Sequence, residues 1–451
     1  MDHLRPVEAS LKVARPRHVR PHGREQELRL KSIDAAQEAV AAKSVTTRIC
    51  LFEGPNGVLG QGGESRAHRA VIETQERGKT MQIPVVALVP IVTHDAPEKE
   101  GISRRMDGVN RVHRSLEQAF AAARAGQAPP VLSWRERAAQ MIAKVTGQKQ
   151  AALNGIDKIN HQVDAQFHKA IDGKIDFRIM RSLGSHEVER VGPSQNGSPE
   201  VRGTVTAFLV EAMPGPTFHD AMRDGLASQK DIAYSMASLA NYSRELNRSG
   251  YHDGDLKPNN LMFEPGQPAQ AGQRARPSVL SKIDHGAILS HQHFEASGPI
   301  SGTLGYTNLK AYGHISPTTA PKDTIKALDS ASSHLVAANL MRAITGVPPL
   351  SHAMNQADGN ARHTADRPAA ILAAAVHGDY SPDIRRATNK ITHEAGPQAG
   401  ALVKDVLTRC LSRDIDRVYS PRELSQKLLE LGALLPDRPM PYDTHVGFVQ
   451  D

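Results

Sequence analysis

Aromatic side chains are scarce in this chain of 451 residues, where Phe, Trp and Tyr together make up 4% and tryptophan occurs once. The hydrophobic fraction of 39% must therefore build its cores mainly from Ala, Leu, Val and Ile. The only two cysteines, Cys50 and Cys410, exclude a disulfide framework and a cysteine-rich zinc site. We expect a reducing compartment, and hence a cytoplasmic protein.

Long apolar runs are also missing. No stretch of about 18 apolar residues occurs, so no membrane-spanning helix is predicted. The first residues lack the apolar segment of a secretory signal, and their Arg, His and Pro content predicts a flexible basic tail over 1–44. The balance of 55 basic against 48 acidic residues suits acidic partners but is not that of a dedicated nucleic-acid binder. We therefore do not expect a nucleic-acid partner.

Hydrophobic periodicity divides the chain into a strand-rich part and a helical part. Segments 48–73, 82–92 and 205–215 have the apolar pattern of strands, and helical spacing interrupts them at about 95–175. An amphipathic helix is predicted at 229–250, and the residues after 320 are mostly helical. This order predicts an α+β protein. We place the first part at 45–212 with a helical insertion, the second at 213–435, and a C-terminal tail at 436–451.

Two short polar motifs stand in the second part. "HDGDLKPNN" (252–260) resembles the catalytic loop H-R-D-L-K-P-x-N of the protein kinase superfamily, and "IDHG" (283–286) resembles its D-F-G metal site. Four further segments resemble that family in the same order: the hinge (208–222), the start of the substrate-binding segment "GTLGY" (302–306), the long central helix (329–350) and the closing helices (406–428). The match covers 200–430 well and 50–92 weakly.

The resemblance implies a bilobal kinase-like fold, with a small β-rich lobe and a larger helical lobe, that uses ATP and Mg²⁺ on a protein substrate. Asp255 matches the catalytic base, and Lys257 matches the lysine that offsets charge on the transferred phosphoryl group. Thr303 matches the residue that steadies both and, with Lys257, favours serine/threonine as acceptors. Asn260 and Asp284 match the metal ligands, and both offer the hard oxygen atoms that Mg²⁺ requires.

Nucleotide binding is expected from the first part of the chain and from the hinge-like segment. Glycines in a loop let backbone N–H groups approach phosphates closely. The residues that match nucleotide-contacting positions of the family are Gly60, Gly62, Gly63, Ala87, Glu211 and Met213.

Val89 is the sharpest departure from the kinase pattern, because it stands where the family has the lysine that pairs with the α- and β-phosphates. Valine cannot neutralise phosphate, and the nearby cations are Arg66, Arg69 and Lys79. Strand alternation places Arg69 on one face with Ala67, unless the strand carries a bulge. On this basis Arg69 is the more interesting candidate to replace the lysine that is missing at position 89.

Two function classes therefore stay open. The first is a divergent serine/threonine protein kinase, and the second is a pseudokinase that binds or scaffolds without transfer. A third resemblance, of "HDGD" to the H-G-D of small-molecule phosphotransferases, fits less well because His252 stands one residue too early. The Ala- and Arg-rich composition indicates a bacterial protein, and delivery into a host cell is a further hypothesis.

Overall fold

The computed structural model describes the following residues: 48–53, 57–61, 65–76, 79–90, 175–180, 182–193, 199–248, 251–267, 276–284, 288–291, 303, 306–312, 314–315, 319, 321–360 and 367–441. The basic tail 1–44, nearly all of the predicted helical insertion at about 95–175, and most of the tail 436–451 lie outside these residues.

Strands and helices are both abundant, so the α+β class predicted from the sequence is confirmed. The strands are β1 (Arg48–Phe52), β2 (Val58–Gln61), β3 (Ser65–Glu76), β4 (Lys79–Pro90), β5 (Ile175–Ile179), β6 (Ser182–Pro193), β7 (Pro199–Glu211), β8 (Tyr251–Asp253), β9 (Leu261–Glu264), β10 (Ser278–Lys282) and β11 (Ile288–Ser290). The helices are α1 (Phe218–Arg223), α2 (Gln229–Arg248), α3 (Leu309–Tyr312), α4 (Pro321–Thr345), α5 (Ser351–Asn360), α6 (Arg367–His377), α7 (Ser381–Ala395), α8 (Pro397–Cys410) and α9 (Pro421–Leu434).

The chain divides into two compact units. Among the described residues, the first unit holds those up to Pro90, those from Met180 to Met213, and the bridged pair Gln267 and Arg276. The second unit holds the remaining described residues, including all the helices. The division falls after Met213, whereas the sequence-based boundary falls after 212.

The first unit is built on one six-stranded sheet. Strands β2, β3, β4, β7 and β6 follow one another in an antiparallel ladder. Strand β1 pairs antiparallel with β3 and parallel with β6, so that β1, β3, β4, β7 and β6 form a closed ring. Closure of this kind turns a sheet into a small barrel whose interior is filled by side chains.

Alternation along β4 decides which side chains fill that interior. Ile83, Val85 and Ala87 are buried, whereas Val86 and Leu88, which alternate with them along the strand, are partly exposed. The same apolar cluster takes further residues from β1, β3, β6 and β7, namely Leu51, Ala70, Ile72, Val188, Ala207 and Leu209. A period of two is what a strand with one buried face requires.

Strands β5 and β6 were not predicted from the sequence. Strand β5 pairs in parallel with β10, which belongs to the second unit. Residues 175–179 therefore differ in placement from the sequence-based division, which put everything from 45 to 212 in the first part. The reason is tertiary pairing, since nothing local in "IDFRI" selects a partner about a hundred residues away.

The second unit is organised around helix α4, which is buried on nearly all sides over 327–345. A helix buried all round must also bury its polar side chains, and Ser333, His334 and Asn339 are all at most 1% exposed. Helices α2, α8 and α9 contribute to the same core. No helix in the described part of the chain is both long and apolar enough to cross a bilayer.

Gly215 lies in the turn that follows β7, within the hinge-like segment 208–222. Its φ is +87°, and a Cβ atom at this position would lie 2.1 Å from the carbonyl oxygen of Phe263. Both observations require glycine. The next residue, Pro216, accepts a hydrogen bond from the Phe263 N–H at 3.0 Å, which ties this turn to β9.

Candidate functional site

The segment between β8 and β9 is a short loop held by its own backbone. Lys257 is extended, and Pro258 opens a single 3₁₀ turn that ends at Asn260. The Asn260 N–H closes this turn on the Lys257 carbonyl at 2.9 Å. Proline at the start of the turn supplies the required φ and has no N–H to leave unpaired. The loop thus presents Asp255 and Lys257 before the turn and Asn260 at its end.

Asp255 lies at the centre of a hydrogen-bonded cluster. The Thr303 hydroxyl donates to Oδ1 of Asp255 at 2.8 Å, and Nδ2 of Asn260 donates to Oδ2 at 2.8 Å. The ammonium of Lys257 lies 3.3 Å from the same Oδ2. The side chain of Asp255 is 18% exposed, so it is held from three sides and still reaches solvent.

Thr303 connects Asp255, the predicted base, with Lys257. Its hydroxyl donates to Asp255 and accepts from Nζ of Lys257 at 3.2 Å. A hydroxyl has one proton to donate and lone pairs to accept, so both bonds form at once. The three residues predicted as catalytic are therefore brought together, although Thr303 lies 48 residues beyond Asp255 in the chain.

The orientation of the Asn260 amide follows from its neighbours. Its Nδ2 atom lies 3.0 Å from the carbonyl oxygen of Asp255 and 2.8 Å from the carboxylate of the same residue. Both neighbours only accept hydrogen bonds, so the NH₂ group must face them. The amide oxygen therefore points away from Asp255, as a metal ligand requires.

Asp284 lies two residues beyond the end of β10 and is exposed. The N–H of the preceding residue, Ile283, donates to the Asn260 carbonyl at 2.9 Å, which continues the antiparallel pairing of β9 with β10. The two predicted metal ligands thus stand at neighbouring ends of one ladder. Asp284 has a φ of 53°, a conformation that Asp and Asn tolerate better than other residues and that clusters at functional sites.

This donor set fits Mg²⁺ better than a transition metal. Mg²⁺ is usually held by one or two side-chain oxygens together with waters and substrate phosphates. Within the part of the chain that the structure describes, no three His, Cys, Asp or Glu side chains gather into a metal-binding group. Asn260 and Asp284 are the residues that would hold the ion, and substrate would complete its coordination.

A buried polar layer lies beneath the loop, and sequence reasoning missed it. Asp253 accepts a hydrogen bond from the Asp255 N–H at 3.1 Å, and its other carboxylate oxygen lies 3.3 Å from the ammonium of Lys282. Burial raises the pKa of Asp253, while Lys282 and the Asp255 N–H oppose that rise. A signal for this pair was present, since Lys282 ends the short buried strand "SVLSK".

His252 belongs to the same layer and joins the loop to helix α2. Asn247 directs its Nδ2 at Asp329 at 2.8 Å, so its Oδ1 must accept from Nδ1 of His252 at 3.0 Å. Nε2 of the ring is then the acceptor for the Tyr312 hydroxyl at 2.8 Å. Burial lowers the pKa of His252 to about 3, with a smaller effect of His291 in the same direction. The imidazole is therefore neutral and serves as a packed connector.

The nucleotide-contacting residues predicted in the first unit are only partly described. Gly60 lies on β2 opposite Ala67, next to an irregularity in the pairing, whereas Gly62 and Gly63 lie outside the described residues. Ala87 is fully buried in the barrel cluster. Glu211 ends β7 opposite Val85, and Met213 follows it, both partly buried.

Val89 lies on the same face of β4 as Ala87 and packs against the same apolar cluster. Its direct partner across the ladder is Arg66, and directly opposed residues in an antiparallel pair project from the same face. Arg69 pairs instead with Val86, on the other face. The pairing of β3 with β4 is continuous, so Arg66 and not Arg69 lies beside Val89, which corrects the preference for Arg69. Lys79 opens β4, opposite Glu76 at the far end of the ladder.

Comparison with known proteins finds no family model that matches the chain and no curated protein with significant sequence similarity to it.

Proposed function

We propose that this protein is a divergent kinase that transfers the γ-phosphoryl group of ATP, with Mg²⁺, to serine or threonine of a protein. The observation that carries the proposal is the cluster in which Asp255, Lys257 and Thr303 contact one another beside Asn260. Phosphoryl transfer asks a protein mainly for positioning and for stabilisation of charge, and such a cluster supplies both.

In the proposed reaction, Asp255 orients the acceptor hydroxyl and takes its proton as the oxygen bonds to the γ-phosphorus. The bond to the β–γ bridging oxygen breaks, and ADP leaves with that oxygen. Lys257 lies beside the base and offsets negative charge on the group in transfer. Mg²⁺, held by Asn260 and Asp284, would supply further charge neutralisation at the phosphates.

The choice of Asp255 as base is supported by its contacts. Both of its carboxylate oxygens accept hydrogen bonds, from Thr303 and Asn260, so the side chain is fixed rather than free to rotate. Its partial exposure leaves a path for an acceptor hydroxyl. A base must come within hydrogen-bonding distance of the proton that it accepts, and a fixed, accessible carboxylate meets that condition.

One observation favours a second function, that of a pseudokinase acting as a binding module. The first unit fills its barrel with apolar side chains, and both Ala87 and Val89 belong to that packing. A small unit that is already packed where the family has a phosphate-binding lysine would bind nucleotide weakly or not at all. Protein binding without transfer would then be the role of the chain.

The two functions are separated by labelled-phosphate transfer from Mg-ATP to the protein itself and to casein as a general acceptor. Asp255→Asn keeps the shape of the base but removes its charge and its ability to take a proton, so we expect transfer to fall by roughly 10²- to 10⁴-fold. Asp323→Asn, an exposed acidic residue in the first turn of α4, is the matched control and should transfer normally. If the unmodified protein and folded Asp255→Asn transfer phosphate equally, or if neither transfers any, the kinase proposal is contradicted.

A further inference from the structure

Lys282 is a lysine without access to solvent. It ends β10, its side chain is 0% exposed, and lysine is almost never fully buried unless it is paired. Its ammonium has three protons to donate, and three acceptors surround it. These are the carbonyl oxygens of Ile283 at 2.7 Å and Asp284 at 2.5 Å, and the carboxylate of Asp253 at 3.3 Å. The charge is therefore fully satisfied inside the second unit.

Asp253 is the other half of this buried ion pair. Its side chain is 1% exposed, and each of its oxygens has a partner. Oδ1 accepts the Asp255 N–H, and Oδ2 accepts the Tyr242 hydroxyl at 3.3 Å as well as facing Lys282. Tyr242 is itself fully buried on α2. The pair thus joins the end of β8 to the end of β10, which belong to different sheets.

The two ends that the pair joins carry the two carboxylates of the proposed reaction. Asp253 holds the backbone N–H of Asp255, and Lys282 holds the backbone carbonyl of Asp284. Asp284 has a left-handed φ of 53°, and such a conformation persists only where its surroundings fix it. We propose that Asp253 and Lys282 are positioning residues that set the base and the metal ligand in register. The proposal rests on the proposed kinase function.

Two other roles for Lys282 fit the contacts less well. It is not a substitute for the lysine missing at Val89, because its ammonium is buried and all three of its protons already have acceptors. A purely stabilising role is also a weak explanation. Buried ion pairs add little stability compared with apolar residues of similar size, because desolvation of two charges offsets their attraction.

The test compares Lys282→Met, Asp253→Asn and the double variant. Each single change leaves one uncompensated charge in the core, so both singles should be less stable than the unmodified protein. The double variant leaves no unpaired charge at these two positions, and the amide oxygen that Asp253→Asn introduces still accepts the Asp255 N–H, so stability should recover relative to the singles. Ser425→Ala is the control, because it removes a buried hydrogen bond between α9 and α2 without contacting the pair.

In the double variant, stability should recover while Mg²⁺ binding and transfer stay impaired. Loss of a group that orients a metal ligand typically costs about 10- to 100-fold in metal affinity or activity. We expect the Mg²⁺ concentration at half-maximal ATP binding to rise by that factor, and transfer to fall with it, while the control keeps wild-type values. A stable double variant with unchanged Mg²⁺ half-saturation and unchanged transfer would overturn the positioning role.

Amide hydrogen exchange tests the role of the same pair without a measurement of activity. The Ile283 N–H donates to the Asn260 carbonyl, so its protection reports the alignment of the two segments. We expect faster exchange at Ile283 in the double variant and no change in Ser425→Ala. Unchanged exchange at Ile283 overturns the positioning role, whereas absence of transfer by the unmodified protein overturns only the proposed kinase function.

Discussion

The two units differ in the polarity of the side chains at their predicted functional positions. Around Asp255 in the second unit, each predicted catalytic residue is held by hydrogen bonds, and a buried ion pair stands behind them. On β4 in the first unit, the position where the family pattern has a cation holds Val89, which packs against an apolar barrel. Under the proposed function, the second unit would supply the residues that act on the γ-phosphoryl group, while the first has no lysine at the position that the resemblance assigns to the other phosphates.

Under the proposed function, transfer and nucleotide binding therefore place separate demands on the two units. Positioning the base requires a rigid polar cluster, and the hydrogen bonds of the loop provide it within one unit. Binding the nucleotide requires positive charge opposite the phosphates, and that charge has to come from a side chain at the right place.

Asp284→Asn should have the largest effect after loss of the base. Asn tolerates the left-handed φ of 53° at this position, so the backbone should be kept while the ligand charge is lost. We expect Mg²⁺-dependent ATP binding to weaken by roughly 100-fold or more, since removing a ligand costs at least as much as removing its supporting partner. Isothermal titration of ATP with and without Mg²⁺ measures this.

Asp358→Asn on α5 serves as the control for Asp284→Asn, because it removes an acidic charge from a helix that contributes no residue to the predicted site. Its Mg²⁺ dependence should match that of the unmodified protein. If Asp284→Asn also keeps its Mg²⁺ dependence, the second unit does not hold the ion through this residue, and the contrast between the units disappears.

Local patterns predicted the loop, and tertiary pairing decided what they could not. Asp255, Lys257 and Asn260 stand within six residues, so a single motif contains their relation, whereas Lys282 meets Asp253 only because β8 and β10 end side by side. The barrel closure by β1 on β6 is equally non-local. Alternation placed Arg69 on the face of Ala67, as the continuous pairing has it, but which residue of β4 each arginine opposes depends on the register of β3, which no residue in that strand specifies alone.

Val89→Lys tests whether the first unit lacks only a charge. A charge-assisted contact contributes on the order of 1.5–3 kcal/mol, so restoring one should tighten Mg-ATP binding by about 10- to 100-fold. Val89 is partly exposed, which leaves the lysine stem room to lie along the cluster with its ammonium in water. Titration calorimetry gives the affinity, and a thermal melt reports the stability.

Val86→Lys is the matched control, because it adds the same side chain to the opposite face of the same strand. It should leave ATP affinity unchanged. A Val89→Lys protein that melts earlier and binds ATP no better would mean that the barrel is packed for a purpose other than nucleotide binding, in favour of the pseudokinase.

The buried imidazole of His252 should make the second unit sensitive to acid. The unfolded ring binds a proton near its ordinary pKa of about 6.5, whereas burial holds the folded pKa at about 3. Between these values the unfolded state binds more protons, so the free energy of unfolding falls as the pH falls. One such group contributes a slope of up to about 1.4 kcal/mol per pH unit.

His252→Gln should therefore flatten the decline in stability between pH 6.5 and pH 4, as measured by urea unfolding across that range. Asp329, whose pKa is raised to about 6 by burial, acts in the opposite direction and is present in both proteins. The exposed His314 is the control, and His314→Gln should keep the slope of the unmodified protein. An unchanged slope in His252→Gln would show that the ring is not held neutral.

The smallest effect on Mg-ATP affinity is expected from a change at Arg66. That effect decides which arginine replaces the lysine that is missing at Val89. Arg66 is exposed and directly opposite Val89, whereas Arg69 projects from the other face of β3. Exposed charges contribute at most about 1 kcal/mol, so Arg66→Gln should weaken Mg-ATP binding by no more than about fivefold. Arg69→Gln, the same change three residues on, should leave affinity as it is.

Because the attraction is screened by salt, the Arg66 effect should shrink between low and 0.5 M NaCl. If Arg69→Gln weakens binding and Arg66→Gln does not, the nucleotide meets the opposite face of β4 from Ala87, and the assignment of Val89 to the lysine position is wrong.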